Sequence, residues 1–398
     1  MISRTTSSGE AELNQLQPDE TASPRVEFHR HSLGQAEKNA VAGVLDSLFL
    51  TTGDEAYAFE REFAEFLDVR HIVGVSSCTA AEHLTLRAFG IGAGDEVITT
   101  PMTFLATATA ILHAGATPVF VDVESDTGNL DASQVEAAIT VRTRAIVAVH
   151  LYGTMCDMHA LRAIADRHGL VLIEDAAHCV EGRRDGVGPG QLGDAACFSF
   201  YATKTLTCGE GGAIALHDDR VAERLRRLRL HGMSKNAADR YRSTYQHWDM
   251  VELGYKCNLT NLQGAMLRPQ LPRLKAQRDR REQICRAYDA MVDASSLLSR
   301  PLVPASARSA RHLYTIWLAD GRRDHLLRHL GANNIGCAVN YRAIHCLSWL
   351  ADNVELRFPL PVAEWIGEQT LSLPLYDRLT DAEIDRVCDV IEEYERDV

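Results

Sequence analysis

The sequence predicts an α/β protein in which a large domain, built on a mostly parallel sheet flanked by helices, is followed by a smaller α+β C-terminal domain. Three observations carry this. From His71 to Asp175 short apolar runs alternate with single helical segments, the rhythm of strand–helix–strand units joined by right-handed crossovers. After Leu216 the texture changes to charged helix and an irregular polar stretch from about 234 to 252. A chain of 398 residues with 46% hydrophobic content is long enough for one large core and a smaller second one. The expected division is 1–24 as a disordered tail, 25–270 as the large domain and 271–398 as the small one.

Residues 1–24 are polar and rich in Ser, Thr, Glu and Pro, too poor in apolar surface to order themselves. Val41, Val44, Leu45 and Leu48 then recur at helical spacing, and Phe59, Phe63 and Phe66 repeat it, so two helices precede the sheet. HIVGV (71–75) is the first strand, followed by a helix from about Ala80 to Phe89. EVITT (96–100), a helix from Thr103 to His113 and PVFVDV (118–123) continue the pattern. Asp131 and Gln134 form a capping pair for the next helix, ahead of AIVAVHL (145–151), a helix from about Met158 to His168, and LVLIED (170–175). Ala195–Tyr201 and Gly212–Leu216 are short apolar runs bounded by Gly and polar residues, hence buried strands, with the loop between them at a sheet edge. One long amphipathic helix is expected from about Asn261 to Val292. Beyond it HLYTIWL (312–318) and IGCAVNY (335–341) read as strands around a helix near His325–Leu330, and a final helix is capped by Thr380 with Glu383.

The formal charge of −13 argues against a nucleic-acid surface, which needs clustered Lys and Arg. An anionic small molecule is compatible, met locally by backbone N–H groups. No run reaches transmembrane length and the N-terminus has no apolar signal region, so a cytoplasmic protein away from membranes is expected. Ten cysteines are scattered without a CxxC pair or zinc-like spacing and read as small core residues, with no metal.

The chemistry centres on Lys204, in the polar turn between the two last strands. Alone it reads as a solvated loop lysine; hemmed by Phe200, Tyr201 and Leu206 it would lose hydration and become an amine able to form a Schiff base with an aldehyde cofactor. Asp175 ends its strand where Lys204 also lies, and a buried carboxylate there calls for a cationic partner such as a pyridinium nitrogen, or else caps and pairs locally. Val75 to Ala80 runs from strand into helix, so the N–H groups of Thr79 and Ala80 point at whatever sits on the helix N-terminus. A phosphate fits there, as does a plain Ser/Thr cap, and Ser199 could add a hydroxyl. Phe104 could stack on a cofactor ring or belong to the core, and His178 could hydrogen-bond a cofactor or merely pack. GVGPG (186–190) lacks the strand and helix of a dinucleotide site and reads as a mobile turn.

Together GDEVITTPMTF, GATPVFVDV, EDAAH, FSFYATKTLTCGEGG and GYKCNLTNLQGAM followed by QLPRL resemble the DegT/StrS sugar aminotransferases, which are fold type I pyridoxal-phosphate enzymes. The resemblance runs from about residue 35 to the end. It implies that Lys204 carries pyridoxal 5′-phosphate as a Schiff base and shuttles protons, while Asp175 pairs with the pyridinium nitrogen. It implies phosphate contacts from Thr79, Ala80 and Ser199, ring contacts from Phe104 and His178, and a reach by Asn258 into the neighbouring subunit's phosphate site within a homodimer. Arg342 and His345, in NYRAIH, fall where the family's small domain faces the sugar. SSCTA, EDAAH and GYKCNLT look most like the subgroup acting on 4-keto sugars, which includes the enzyme making UDP-4-amino-4-deoxy-L-arabinose. The implied reaction moves an amino group from glutamate to C4 of a nucleotide-linked keto sugar. An aminocyclitol or 3-keto sugar, or a cofactor-binding regulator without turnover, is the alternative. Cys78 stands where many members have Gly and Cys257 where they have an aromatic residue, and Lys204 argues against the dehydratases that carry His instead.

Overall fold

The computed structural model describes residues 24–234, 247–319 and 321–398; the expected tail up to residue 23 and the centre of the irregular stretch lie outside the described residues. Seven strands form the main sheet: β1 (His71–Val75), β2 (Glu96–Thr99), β3 (Thr117–Phe120), β4 (Thr143–Val149), β5 (Val171–Asp175), β7 (Ala195–Ser199) and β8 (Gly212–Leu216). Their order is β1-β8-β7-β5-β4-β2-β3, and β8 alone runs antiparallel to its neighbours. A short β6 (Arg183–Arg184) pairs with β10 (Ala307–Arg308) outside it.

The strands are apolar along their length because both faces are covered. Val97, Val147, Ile173 and Ile214 pack on one face with Ala81 and Leu84 of α3 (Cys78–Ala88). Ile98, Ile146 and Leu172 pack on the other with Leu161 of α6 (Met158–His168). Phe59 and Phe63 of α2 (Asp54–Leu67), which follows α1 (Gln35–Leu45), meet Phe200 and Phe198 edge-on at 5.3 and 5.2 Å, the helical aromatic repeat read from the sequence. The Asp131–Gln134 cap forms but opens only α5 (Ala132–Val135) and a 3-10 turn; Thr380 and Glu383 form a reciprocal capping box on the last helix, Asp381–Asp397.

Four expectations are corrected. The Asn261–Val292 helix is broken into Asn261–Leu267, a 3-10 segment Arg268–Arg273, and Leu274–Ala294, because Pro269 and Pro272 lack the N–H that an α-helix needs. IGCAVNY is no strand: its backbone bonds divide between Val26, bridged to Ile335, and Ser372, bridged to Ala338, so no ladder propagates. The place beside β11 (Tyr314–Leu318) is taken by β12 (Thr370–Leu373), with β9 (Leu298–Ser299) on the other side. α4 (Ala106–His113) starts later than Thr103, leaving Phe104 in the preceding loop. The GVGPG turn is pinned, since Gly190 N–H and Gly193 N–H both donate to buried Glu174 Oε1 at 3.1 and 2.9 Å.

β1 is an outermost strand, and its outward edge is plugged by charge. Glu60 Oε1 accepts from Gly74 N–H (2.8 Å), while Arg229 Nη1 donates to the Gly74 carbonyl (2.6 Å) and to Glu60 Oε1 (2.5 Å). Both side chains are buried, so the pair satisfies strand groups that would otherwise be orphaned. Glu60→Ala should therefore cost about 3–5 kcal/mol, the scale for stranding one partner of a buried pair. The double variant Glu60→Leu/Arg229→Met should recover only part of it, because Gly74 stays unpaired; urea unfolding of the three proteins measures both.

Candidate active site

The parallel strands all end on one rim, and the predicted residues gather there because ligands in such sheets bind beyond the carboxyl ends. β7 and β8 are interior strands, so the Lys204 loop lies at this rim and not beside an outermost strand. Asp175 is the last residue of β5 and Ser199 the last of β7, both buried. Ser199 pairs with Gly212 across β7 and β8, and Gly212 pairs with Val75 across β8 and β1. A Cβ on Gly212 would come within 2.4 Å of the Ser77 carbonyl carbon, so only glycine lets the loop into α3 sit this close to β8.

At the start of α3 Ser77 is the cap: its Oγ accepts from Ala80 N–H at 3.1 Å, and Ala81 N–H bonds the Ser77 carbonyl. Ala80 N–H is thus already engaged. Cys78 and Thr79 retain the amides that the helical ladder leaves over, with the positive end of the helix dipole behind them.

Asp175 Oδ2 accepts from the Thr107 hydroxyl (2.9 Å) and Oδ1 from Ala177 N–H (3.1 Å). Among the described residues it makes no salt bridge, so it is a buried acid without an ion-paired cation. A protonated ring nitrogen fits that vacancy of charge. Lys204 is half-buried in its loop, with its N–H on the Tyr201 carbonyl at 2.9 Å. Burial lowers its amine to about 8, against the opposing pull of negative charge at Cys78 and Asp175. Phe200 and Leu206 are buried beside it as expected, whereas Tyr201 is exposed.

His178 donates or accepts through Nε2 with Tyr341 Oη at 3.0 Å, its Nδ1 is buried without a partner, and its ring lies 4.4 Å from that of His312. Burial and then the charge of Lys204 push it well below the usual histidine range, which keeps it neutral. Phe104 is exposed on the loop before α4, its ring 6.0 Å from that of Tyr341, and so is no core residue. The cleft at Lys204 is lined by Phe28, His29, His312, Asn340 and Tyr341. None of these was singled out from the sequence: they arrive from distant segments, and no local spacing announces them.

Three residues stand differently. Asn258 bridges its own chain's Val75 through the backbone, and its side chain donates to Thr52 Oγ1 at 2.8 Å. His345 is buried with Nε2 3.1 Å from Glu364, and no described contact joins it to Lys204, Asp175 or His178. Arg342 is exposed and makes no ion pair among the described residues. All ten cysteines are free.

The family described as DegT/DnrJ/EryC1/StrS aminotransferase matches residues 31–392. The chain belongs to that family. The aminotransferase is 41% identical over 368 residues to the spore coat polysaccharide biosynthesis protein SpsC of Bacillus subtilis, covering 90% of this chain and 94% of SpsC. It superposes on Streptomyces (S.) venezuelae DesV, solved with a ketimine intermediate, with a TM-score of 0.84 at 38% identity, covering 90% of this chain and 94% of DesV. The sugar aminotransferase Spr1654 of Streptococcus pneumoniae, described as putative in that solved structure and determined in its PLP form, superposes with a TM-score of 0.87 at 28% identity, over 94% of this chain and 99% of its own. The protein is a pyridoxal-phosphate-dependent aminotransferase of the sugar-aminotransferase family, with the fold those relatives share.

The lowered Lys204 amine has a kinetic signature. Its nucleophilic form is the unprotonated one, so covalent capture of pyridoxal phosphate by cofactor-free protein should rise with pH and level off above about 8. Borohydride reduction followed by peptide mapping reads the capture, and label on another lysine, or a rise continuing to pH 10, contradicts the assignment.

Proposed function

We propose that the enzyme transfers an amino group from glutamate to the C4 keto carbon of a nucleotide-linked sugar, as a cytoplasmic homodimer with shared active sites. The carrying observation is the meeting, at one rim, of a buried acid without an ion partner, an amine of lowered basicity and a capped helix N-terminus. Likeness to sugar aminotransferases supports the substrate class, and the SSCTA, EDAAH and GYKCNLT segments support the 4-keto position. The proposal keeps the division into a large domain to about residue 270 and a small one beyond it.

Bound pyridoxal phosphate supplies an electron-withdrawing ring that makes the substrate carbon acidic. Asp175 holds the ring nitrogen's proton, with Thr107 and Ala177 fixing the carboxylate. Thr79, Ala80 and Ser199 would line the phosphate site, where the α3 dipole favours an anion; the Ala80 N–H is held by Ser77, which leaves the donation to Thr79 and the Ser199 hydroxyl. Lys204 Nζ would hold the cofactor and would serve as the base and acid that moves a proton beside it. Neutral His178, tied to Tyr341, and Phe104 face the ring and keep water from it. Arg342 meets the anionic part of the substrate, and His345, held by Glu364, supports that segment from beneath.

Enzyme first converted to its aminated form with glutamate should be returned to the starting absorbance by 4-keto nucleotide sugars at least tenfold faster than by 3-keto sugars or keto-cyclitols. The opposite order reassigns the ring position, and no response to any sugar defeats the substrate class.

Asn258 tests the shared site. If Lys204→Ala and Asn258→Ala chains, each nearly inactive, are refolded together, random pairing gives about half heterodimers, and one site in each is intact. Activity should approach roughly one quarter of wild type. Activity no higher than the mean of the parents, with heterodimers present, assigns Asn258 to its own chain's site, where its backbone already pairs with Val75.

A further inference from the structure

α3 carries an acid that the mechanism above does not use. Glu82 lies one turn after Cys78 on the face turned toward the rim, is 3% exposed, and both its carboxylate oxygens are buried without a hydrogen-bond partner among the described residues. A Glu82 oxygen, an Asp175 oxygen and Cys78 Sγ all lie within 4.8 Å of one another. A charged residue in an amphipathic helix normally faces water, so an unpartnered one pointing inward, against a second buried acid, needs a physical reason.

Among the described residues no cation contacts Glu82; Lys204 acts on Asp175 and Cys78 from across the rim without an ion pair. From β7 Cys197 approaches, lying beside Asp175 in register and contacting Thr85 through its sulfur at 3.6 Å. α4 offers the Thr107 hydroxyl, already given to Asp175. His83 turns to the other side of α3, its ring 4.8 Å from that of Tyr255 and 6.4 Å from that of His113. From α7 (Asp219–Leu228) Arg224 pairs with Glu252 and bonds the Ala88 carbonyl at the far end of α3, away from Glu82. β1 and β8 bring apolar residues. Two carboxylates this close in a dry site cannot both carry charge. Asp175 has two donors to stabilise its anion and Glu82 has none, so the single proton belongs on Glu82. Consistently, burial first, and then the charge of Asp175, raise Glu82 well above the usual carboxylic range.

We propose that Glu82 is a positioning residue acting through Asp175: as a carboxylic acid it donates a hydrogen bond to the Asp175 carboxylate and so favours the ionic pairing of that carboxylate with the protonated ring nitrogen. The inference rests on Asp175 being the partner of that nitrogen. No atom is consumed; the Glu82 proton stays on Glu82 while its bond to Asp175 competes with transfer of the ring proton onto Asp175. A hydrogen bond to a charged group is worth enough to shift that transfer by about ten- to a hundredfold. Losing it leaves more of the ring neutral and a weaker electron sink.

The test uses the full-length protein, with and without pyridoxal phosphate. In cofactor-free wild type at neutral pH, infrared spectroscopy should show a protonated-carboxyl band that disappears in both Glu82→Gln and Glu82→Leu. In loaded protein, loss of cofactor absorbance on adding glutamate reads the donor half-reaction. Glu82→Leu, which keeps the volume but has no donor, should lower its limiting rate about ten- to a hundredfold with less than about a threefold change in the glutamate concentration at half-rate. Glu82→Gln, whose amide still donates, should stay within about threefold of wild type. A band absent from wild type or surviving both substitutions, a Leu variant as fast as wild type, or a Gln variant as slow as Leu overturns the proposal. Full turnover in Asp175→Asn would instead defeat the reading of Asp175 itself, and is distinguished because the infrared band is read in cofactor-free protein with Asp175 intact, whatever Asp175 does for the ring.

Discussion

A carboxylate set in the dry end of a parallel sheet, with no salt bridge beside it, is the constraint to which the rest of this molecule answers. Asp175 costs free energy where it stands unless its lone pairs are met. The fold meets them with a side chain from the start of α4 and an amide from the turn after β5. The late start of α4 serves this arrangement, because Thr107 then lies in the first turn of the helix while Thr103, bonded to Thr107 at 2.8 Å, closes the loop beneath it. If a cationic ring completes what neutral donors leave undone, as proposed, affinity for the cofactor and relief of a buried charge are the same free energy seen from two sides.

The same economy governs the other polar groups of the rim. His178 is kept neutral by its burial and by Lys204, and it is locked by Tyr341. Lys204 in turn owes its lowered basicity to burial at the rim. Each of these side chains is unremarkable alone; their properties come from being assembled where water is scarce.

The strands were legible because a sheet covered on both faces demands unbroken apolar runs, as in Val171–Asp175 and Ala195–Ser199. The caps at Asp131 and Thr380 were legible because their chemistry is local. Lys204, Asp175 and Ser199 came with the strand ends. The break after Leu267 is written in Pro269 and Pro272, but the amphipathic pattern that runs on either side of them hides it. Tyr341, His312 and Thr107 were hidden for a different reason: each acts through a partner many residues away, and only the folded chain joins them. Glu82 was hidden more deeply, since helical periodicity assigns a charged residue to solvent and here the site overrules it.

The reversed strand next to the sheet edge has a consequence for how the chain is made. β1 has a single strand neighbour, β8, which leaves the ribosome only after the Lys204 loop has been synthesised. Until then the nascent chain can pair β2, β3, β4 and β5, while β1 and the helix behind it wait with one edge sealed by Glu60 and the other bare. Inserting β8 therefore docks the loop into α3 and delivers the lysine in one event. A partly made sheet offers the cofactor neither, and the long wait of an unpaired strand is the interval in which this chain has most need of a chaperone.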